Sequence, residues 1–229
     1  MKRDADDLFL RSVGEIASEN PEKIEVFKKY GVDFCCGGSK TLKEACEESG
    51  IDQLLIADEL SGPLASMTEN DENYSLSKKA KDWDTNFLID YIVNIHHTFL
   101  RVHIPEASDY VEKITNVHGN RHPELLKIRG LFTKMSQALI IHLDKEEKGL
   151  FQHIKNRETG EIIREIKDAE YDHEYVGHIL KEMNFLSSCY LSPEDACASY
   201  RHAYKLLKNI SDDIMIHVHL ENNILFKKI

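Results

Sequence analysis

The chain has 229 residues, 41% hydrophobic and 30% charged, a globular composition in which no apolar run approaches the roughly 20 residues needed to cross a bilayer. A formal charge of −11 opposes binding to nucleic acid, whose phosphates would be repelled, and suits the capture of cations. Residues 1–7 hold no apolar core of an export signal. The chain is therefore expected in the cytoplasm, where Cys35, Cys36, Cys46, Cys189 and Cys197 form no disulfide framework.

Residues 1–62 read as a small helical domain. Asn20-Pro21 opens a helix whose apolar face is Ile24, Phe27 and Tyr30 and which Gly31 stops. Thr41 and Glu44 have the spacing of a capping box at the head of a helix ending at Gly50. Between the two lies a loop, Asp33-Phe34-Cys35-Cys36-Gly37-Gly38. Amide groups at the following helix N-terminus would favour thiolates, so this spacing suits a reactive or metal-holding pair as well as it suits two small residues in a tight turn. Cys46, Cys189 and Cys197 read as ordinary packing residues on helices. Ser61-Gly62-Pro63 breaks the pattern, and residues 63–82 are polar enough for a linker.

Residues 83–229 carry four long helical patterns and no strand-like alternation, which predicts an all-α, four-helix bundle. The first pattern runs through Phe87, Val93, His97, Leu100 and Ile104, with Pro105 expected to kink or interrupt it. The second starts near Pro123 and holds Ile128, Phe132, Met135, Leu139, His142, Glu146 and His153 on one seam. The third contains Ile162, Ile166, His173, Val176, Leu180 and Met183. The fourth is expected to begin at Ser192-Pro193 and to run through Ala203, Leu207, Ile210, Ile214, His217 and Glu221.

Two of these helices repeat one chemical text. His142 and Glu146 are followed by Leu150-Phe151, and His217 and Glu221 by Leu225-Phe226. A His and a Glu four residues apart share a helix face and can converge on one point. A lone histidine on an apolar seam is usually a satisfied core residue, but a buried carboxylate is costly unless paired. Two such pairs, with an inward His173 and either His96 or His97, point to metal ligation. Periodicity alone leaves His96 and His97 nearly even. Two bridging carboxylates and four imidazoles would serve two ions, and nitrogen and oxygen donors without thiolate suit iron, manganese or zinc, with redox-active iron favoured deep in a bundle. His118 and His122 flank a turn at Gly119-Asn120 and read as surface residues, while His153 reads as an outer partner or core.

Together these residues resemble the iron–sulfur cluster repair di-iron proteins, a hemerythrin-like family. The similarity runs from Phe27 through Cys35-Cys36-Gly37-Gly38 and Thr41-Leu42, past Ile89-Asp90-Tyr91-Ile92, His97 and Pro105-Glu106, to His142 with Glu146-Glu147, Asp172-His173 and His217 with Glu221-Asn222-Asn223. The resemblance implies that His97, rather than His96, is the ligand from the first helix. It implies two non-haem iron ions per chain on His97, His142, Glu146, His173, His217 and Glu221, with a solvent-derived bridge. It implies transient work on iron–sulfur proteins damaged by nitric oxide or oxidants, by iron delivery, by nitric oxide reduction or by both, with Cys35 and Cys36 receiving iron or electrons. A non-catalytic carrier or sensor of oxygen or nitric oxide is the alternative. No membrane or nucleic-acid partner is implied, and homodimer formation is left open.

Overall fold

The computed structural model describes residues 7–62, 80–158 and 160–229; most of the expected linker, 63–79, lies outside the described residues. Among the described residues the chain is helical with no strand. It divides into two compact units, one formed by Met1–Leu88 with Val218–Ile229 and the other by Ile89–His217, so the division falls inside the last long helix.

In the first unit, α1 spans Val13–Glu19, a 3-10 turn covers Pro21–Lys23, α2 spans Ile24–Tyr30, α3 Leu42–Ser49 and α4 Gln53–Ser61. The punctuation is local chemistry. Gly31 and Gly50 close α2 and α3 in the left-handed region, at φ 69° and 64°, where glycine has no Cβ to strain. The box at α3 is formed as its spacing requires, Thr41 Oγ1 accepting from the Glu44 amide and Glu44 Oε2 from the Thr41 amide. Ser12 and Glu15 cap α1 in the same manner. The apolar faces of Val13, Ile16, Ile24, Phe27, Phe34, Leu42, Ile56 and Leu60 are buried together.

The second unit is the bundle. Its first long element is α5, Thr85–Tyr91, continued by a π segment, Ile92–His97, and α6, Thr98–His118; α5 begins four residues before the unit's boundary. The second is α7, Glu124–Lys145, a π segment, Glu146–Leu150, and α8, Phe151–Asn156. The third is α9, Ile162–Leu186, and the fourth α10, Ala198–Leu220, which runs on into a third π segment, Glu221–Leu225. α7 packs against both α6 and α9. The seam read from the sequence faces inward: Ile128, Phe132, Met135 and Leu139 are buried, as are Leu207, Ile210 and Ile214, each contributing about 1.5–3 kcal/mol of burial free energy.

Several expectations fail for identifiable reasons. Of the two effects expected of Pro105, interruption does not occur: α6 continues through it, with proline withdrawing the bond to the carbonyl four residues back. The fourth helix starts at Ala198 rather than at Ser192-Pro193. Ser188, Cys189 and Tyr190 all take left-handed backbone, and Pro193 is used in a turn closed by the Ala196 amide. Cys189 and Cys197 are exposed rather than packed, and only Cys46 of the three is buried. His118 is buried and His122 is half-buried, not surface residues: α6 extends to His118, whose ring lies edge-on to Tyr200. Of the two readings of His153, outer partner or core, the core one fails: it is half-buried and bonded to Glu165 at 2.8 Å.

Candidate metal centre

Each of the three π segments carries a candidate ligand. Glu146 and Glu221 are the first residues of theirs, and His97 is the last residue of the segment in the first helix. A π turn inserts one extra residue into the helical ladder and shifts the faces that follow. The repeated text is thereby explained beyond the ligands themselves: after Glu146 and Glu221 the helix must widen before Leu150-Phe151 and Leu225-Phe226 return to the apolar side. The widened turn at 92–97 also buries both His96 and His97, which is why a regular 3.6-residue period could not choose between them.

The structure separates these two histidines by their partners. His97 Nε2 lies 3.1 Å from His217 Nε2. His96 Nδ1 instead meets Asp213 Oδ1 at 2.9 Å, and its ring stacks on that of His217 with centroids 6.1 Å apart. On the other side of Glu146, His142 Nε2 and His173 Nε2 are 3.0 Å apart. Ligand atoms of His97, Glu146, His217 and Glu221 all lie within 4.8 Å of one another, and so do those of His142, Glu146, His173 and Glu221. The six residues expected from sequence are thus brought together as two four-residue groups sharing both carboxylates, with Glu221 carried on the turn after His217.

The donor set fits a pair of cations. Glu146 is 1% exposed, and neither of its oxygens has a hydrogen-bond partner. Four imidazole nitrogens nevertheless lie 3.5, 3.3, 3.9 and 4.0 Å from its oxygens, on His97, His142, His173 and His217. An orphaned buried carboxyl group is costly. Cations between it and the imidazoles would remove that cost, and two nitrogens bound at about 2.1 Å and at right angles sit about 3.0 Å apart. The absence of thiolate leaves a nitrogen and oxygen set suited to iron, manganese or zinc.

Around these donors stands a ring of acids that sequence periodicity did not single out. His97 Nδ1 donates to Glu147 Oε1 at 2.9 Å, and Arg101 donates to the same oxygen at 3.1 Å and to Asp144 at 2.6 Å. This orients the ring and directs the Nε2 lone pair inward. Burial opposes ionisation of Glu147, but His97 and Arg101 together hold its carboxyl below the usual range. His142 Nδ1 faces Asp172 at 3.5 Å. That imidazole, followed by Lys145 and against the opposing effect of burial, pulls Asp172 down to about 2. The signal for these partners was an acid directly beside each ligand, Glu147 after Glu146 and Asp172 before His173. A cleft of about 750 Å³ reaches His142 and Glu146 between walls that include Lys145, Asp168, Tyr171 and Asp172.

The dithiol loop belongs to the first unit. Cys35 Sγ lies 3.9 Å from Cys36 Sγ and 3.3 Å from Asp33 Oδ1, so Asp33 joins the two thiols as a third candidate ligand. At Cys35 other influences oppose the thiolate that a helix N-terminus would favour. Its bond to Cys36, its burial and the nearby Asp33 push the thiol well above the ordinary range. Asp33 Oδ1 also accepts from the amides of Cys35 and Gly37, placing a carboxylate where the helix N-terminus was expected to supply positive potential.

Residues 10–63 match the ScdA_N family, described as a domain of unknown function, and residues 88–229 match the hemerythrin HHE cation binding domain. The iron-sulfur cluster repair protein ScdA of Staphylococcus epidermidis is 31% identical over 221 residues, covering 95% of this chain and 96% of that protein. The probable iron-sulfur cluster repair protein of Haemophilus influenzae is 31% identical over 222 residues, with 96% of each chain covered. The iron-sulfur cluster repair protein YtfE of Escherichia coli O81 is 29% identical over 219 residues, with 94% of each covered. With a cation-binding bundle of matching type and near full-length relatives above 30% identity, the chain belongs to the iron–sulfur cluster repair family of hemerythrin-domain proteins.

Proposed function

We propose that this chain holds two iron ions between His97, His142, His173, His217 and the shared carboxylates of Glu146 and Glu221, and that it restores iron–sulfur clusters damaged by nitric oxide or oxidants. The observation carrying this reading is the double use of Glu146 and Glu221 in two histidine groups. When bound, iron would supply one-electron chemistry toward nitric oxide and a store of metal for an empty cluster site. The chain's own residues supply the rest. Glu147 and Asp172 fix the rings of His97 and His142, and the apolar seams around Leu139 and Ile214 keep bulk water from the donors. The cleft beside His142 gives a small ligand or an ion a way in or out. Cys35 and Cys36, in a domain read as residues 1–62, would receive iron or electrons on the way to damaged iron–sulfur proteins in the cytoplasm. No helix among the described residues is long and apolar enough to cross a membrane.

One observation favours a second reading, a non-catalytic carrier or sensor of oxygen or nitric oxide: Cys35 is buried, and a carrier has no need of an accessible thiol. Elemental analysis of anaerobically purified protein, with its visible spectrum before and after exposure to air, tests the metal assignment. Two irons per chain and an air-dependent absorption band are expected. A chain that takes up no iron, or binds zinc only at its surface, would overturn it.

A further inference from the structure

The last helical turn serves two purposes on two faces. Glu221 places its carboxylate among the candidate metal ligands, while Asn223, two residues on within the same π segment, turns to the dithiol loop. Asn223 Nδ2 donates to the carbonyls of Phe34 and Cys35 at 3.2 and 3.1 Å and lies 3.2 Å from His219 Nδ1. His219 is buried, with its ring 5.7 Å from that of Phe34 and its Nε2 3.5 Å from Ser18 Oγ. The Ser18 hydroxyl in turn donates to the Gly14 carbonyl. The remaining wall of the notch is glycine: a Cβ on Gly14 would lie 2.3 Å from Asn223 Oδ1, and one on Gly38 would lie 2.4 Å from it. All of these residues belong to one compact unit.

We propose that Asn223 is a positioning residue, whose amide ties the Phe34 and Cys35 carbonyls, and with them the Cys35-Cys36 dithiol, to the helical turn that presents Glu221. Its purpose rests on the reading of these thiols as transfer groups; its geometry does not. Asn223 acts as a donor and not merely as a filler of the glycine notch, and the two roles are separable. Asn223→Asp keeps the shape of the side chain but sets an ionised carboxylate against two carbonyl oxygens, while Asn223→Ala removes the amide without adding charge.

The test is iodoacetamide footprinting of Cys35 and Cys36 at pH 8 in the full-length protein, read by mass spectrometry, with iron measured on the same preparations. In both variants Cys35 alkylation is expected to accelerate about tenfold, as a buried loop loses a hydrogen-bonded anchor, while iron content stays at the parent's value. Acceleration in Asn223→Ala alone would make Asn223 a filler and overturn the proposal, as would unchanged reactivity in both. Loss of iron in Asn223→Asp would also overturn it, by placing the residue's role at the metal centre. The footprint is independent of repair: if a Cys35→Ser, Cys36→Ser double variant repairs normally, the transfer reading fails while the positioning result stands.

Discussion

Replacing Glu146 by Gln should stabilise the metal-free protein while disabling it as a metal binder. Both carboxyl oxygens are buried with no hydrogen-bond partner, and leaving such a group unsatisfied costs about 1–3 kcal/mol. The amide is nearly isosteric and can donate to the imidazole nitrogens that crowd it, so much of that cost is removed. Taking about 2 kcal/mol, and about 2–4 °C per kcal/mol for a chain of this size, the metal-free variant should melt about 4–8 °C above the metal-free parent. The order should reverse when iron is added. An ion present at a hundredfold its Kd stabilises the parent by about 2.7 kcal/mol, and the variant forfeits most of that because Glu146 belongs to both ligand groups. Calorimetry of both proteins, metal-free and after anaerobic iron loading, reads all four values. A metal-free variant that melts lower than the parent, or one that still takes up two irons, would refute the argument that this carboxyl group is an orphan retained for cations.

The remaining predictions follow from the same geometry. His142→Ala should lose mainly one ion by elemental analysis, whereas Glu221→Ala should lose both, since His142 belongs to one ligand group and Glu221 to two; equal single losses would make the carboxylates terminal ligands. Glu147→Gln leaves every candidate ligand in place but weakens the bond that orients His97, so competition with a chelator should show iron affinity reduced about 10–100-fold, and an unchanged affinity would reduce Glu147 to a surface partner of Arg101. Changing Cys35 and Cys36 together to Ser should preserve iron content and visible spectrum while lowering repair in a coupled assay with a nitric-oxide-damaged iron–sulfur enzyme. Full repair by that double variant would remove the thiols from the transfer route.

The sequence alone determined the helical class, most of the inward seams and the two repeated pairs, His142 with Glu146 and His217 with Glu221; Phe87, expected on the first seam, is exposed, and periodicity left His96 and His97 even. The reason is that a buried carboxylate four residues from a histidine, repeated on a second helix, is too costly to be accidental. It also determined the caps at Thr41, Gly31 and Gly50, which depend on neighbours only a few residues away. Tertiary structure decided what no local rule contains. The π turns that begin at Glu146 and Glu221, and the one at 92–97 that buries both His96 and His97, require the packed bundle to set the helical ladder. Burial of His118 depends on Tyr200, far along the chain. The upward push on the Cys35 thiol comes from its bond to Cys36 and from a burial that a Cys-Cys-Gly-Gly text cannot disclose. The polar stretch at 63–82 read as a boundary between two independent parts. Yet residues 218–229 of the last helix share a compact unit with the dithiol loop, because Asn223 and His219 find their hydrogen-bond partners nearly two hundred residues away.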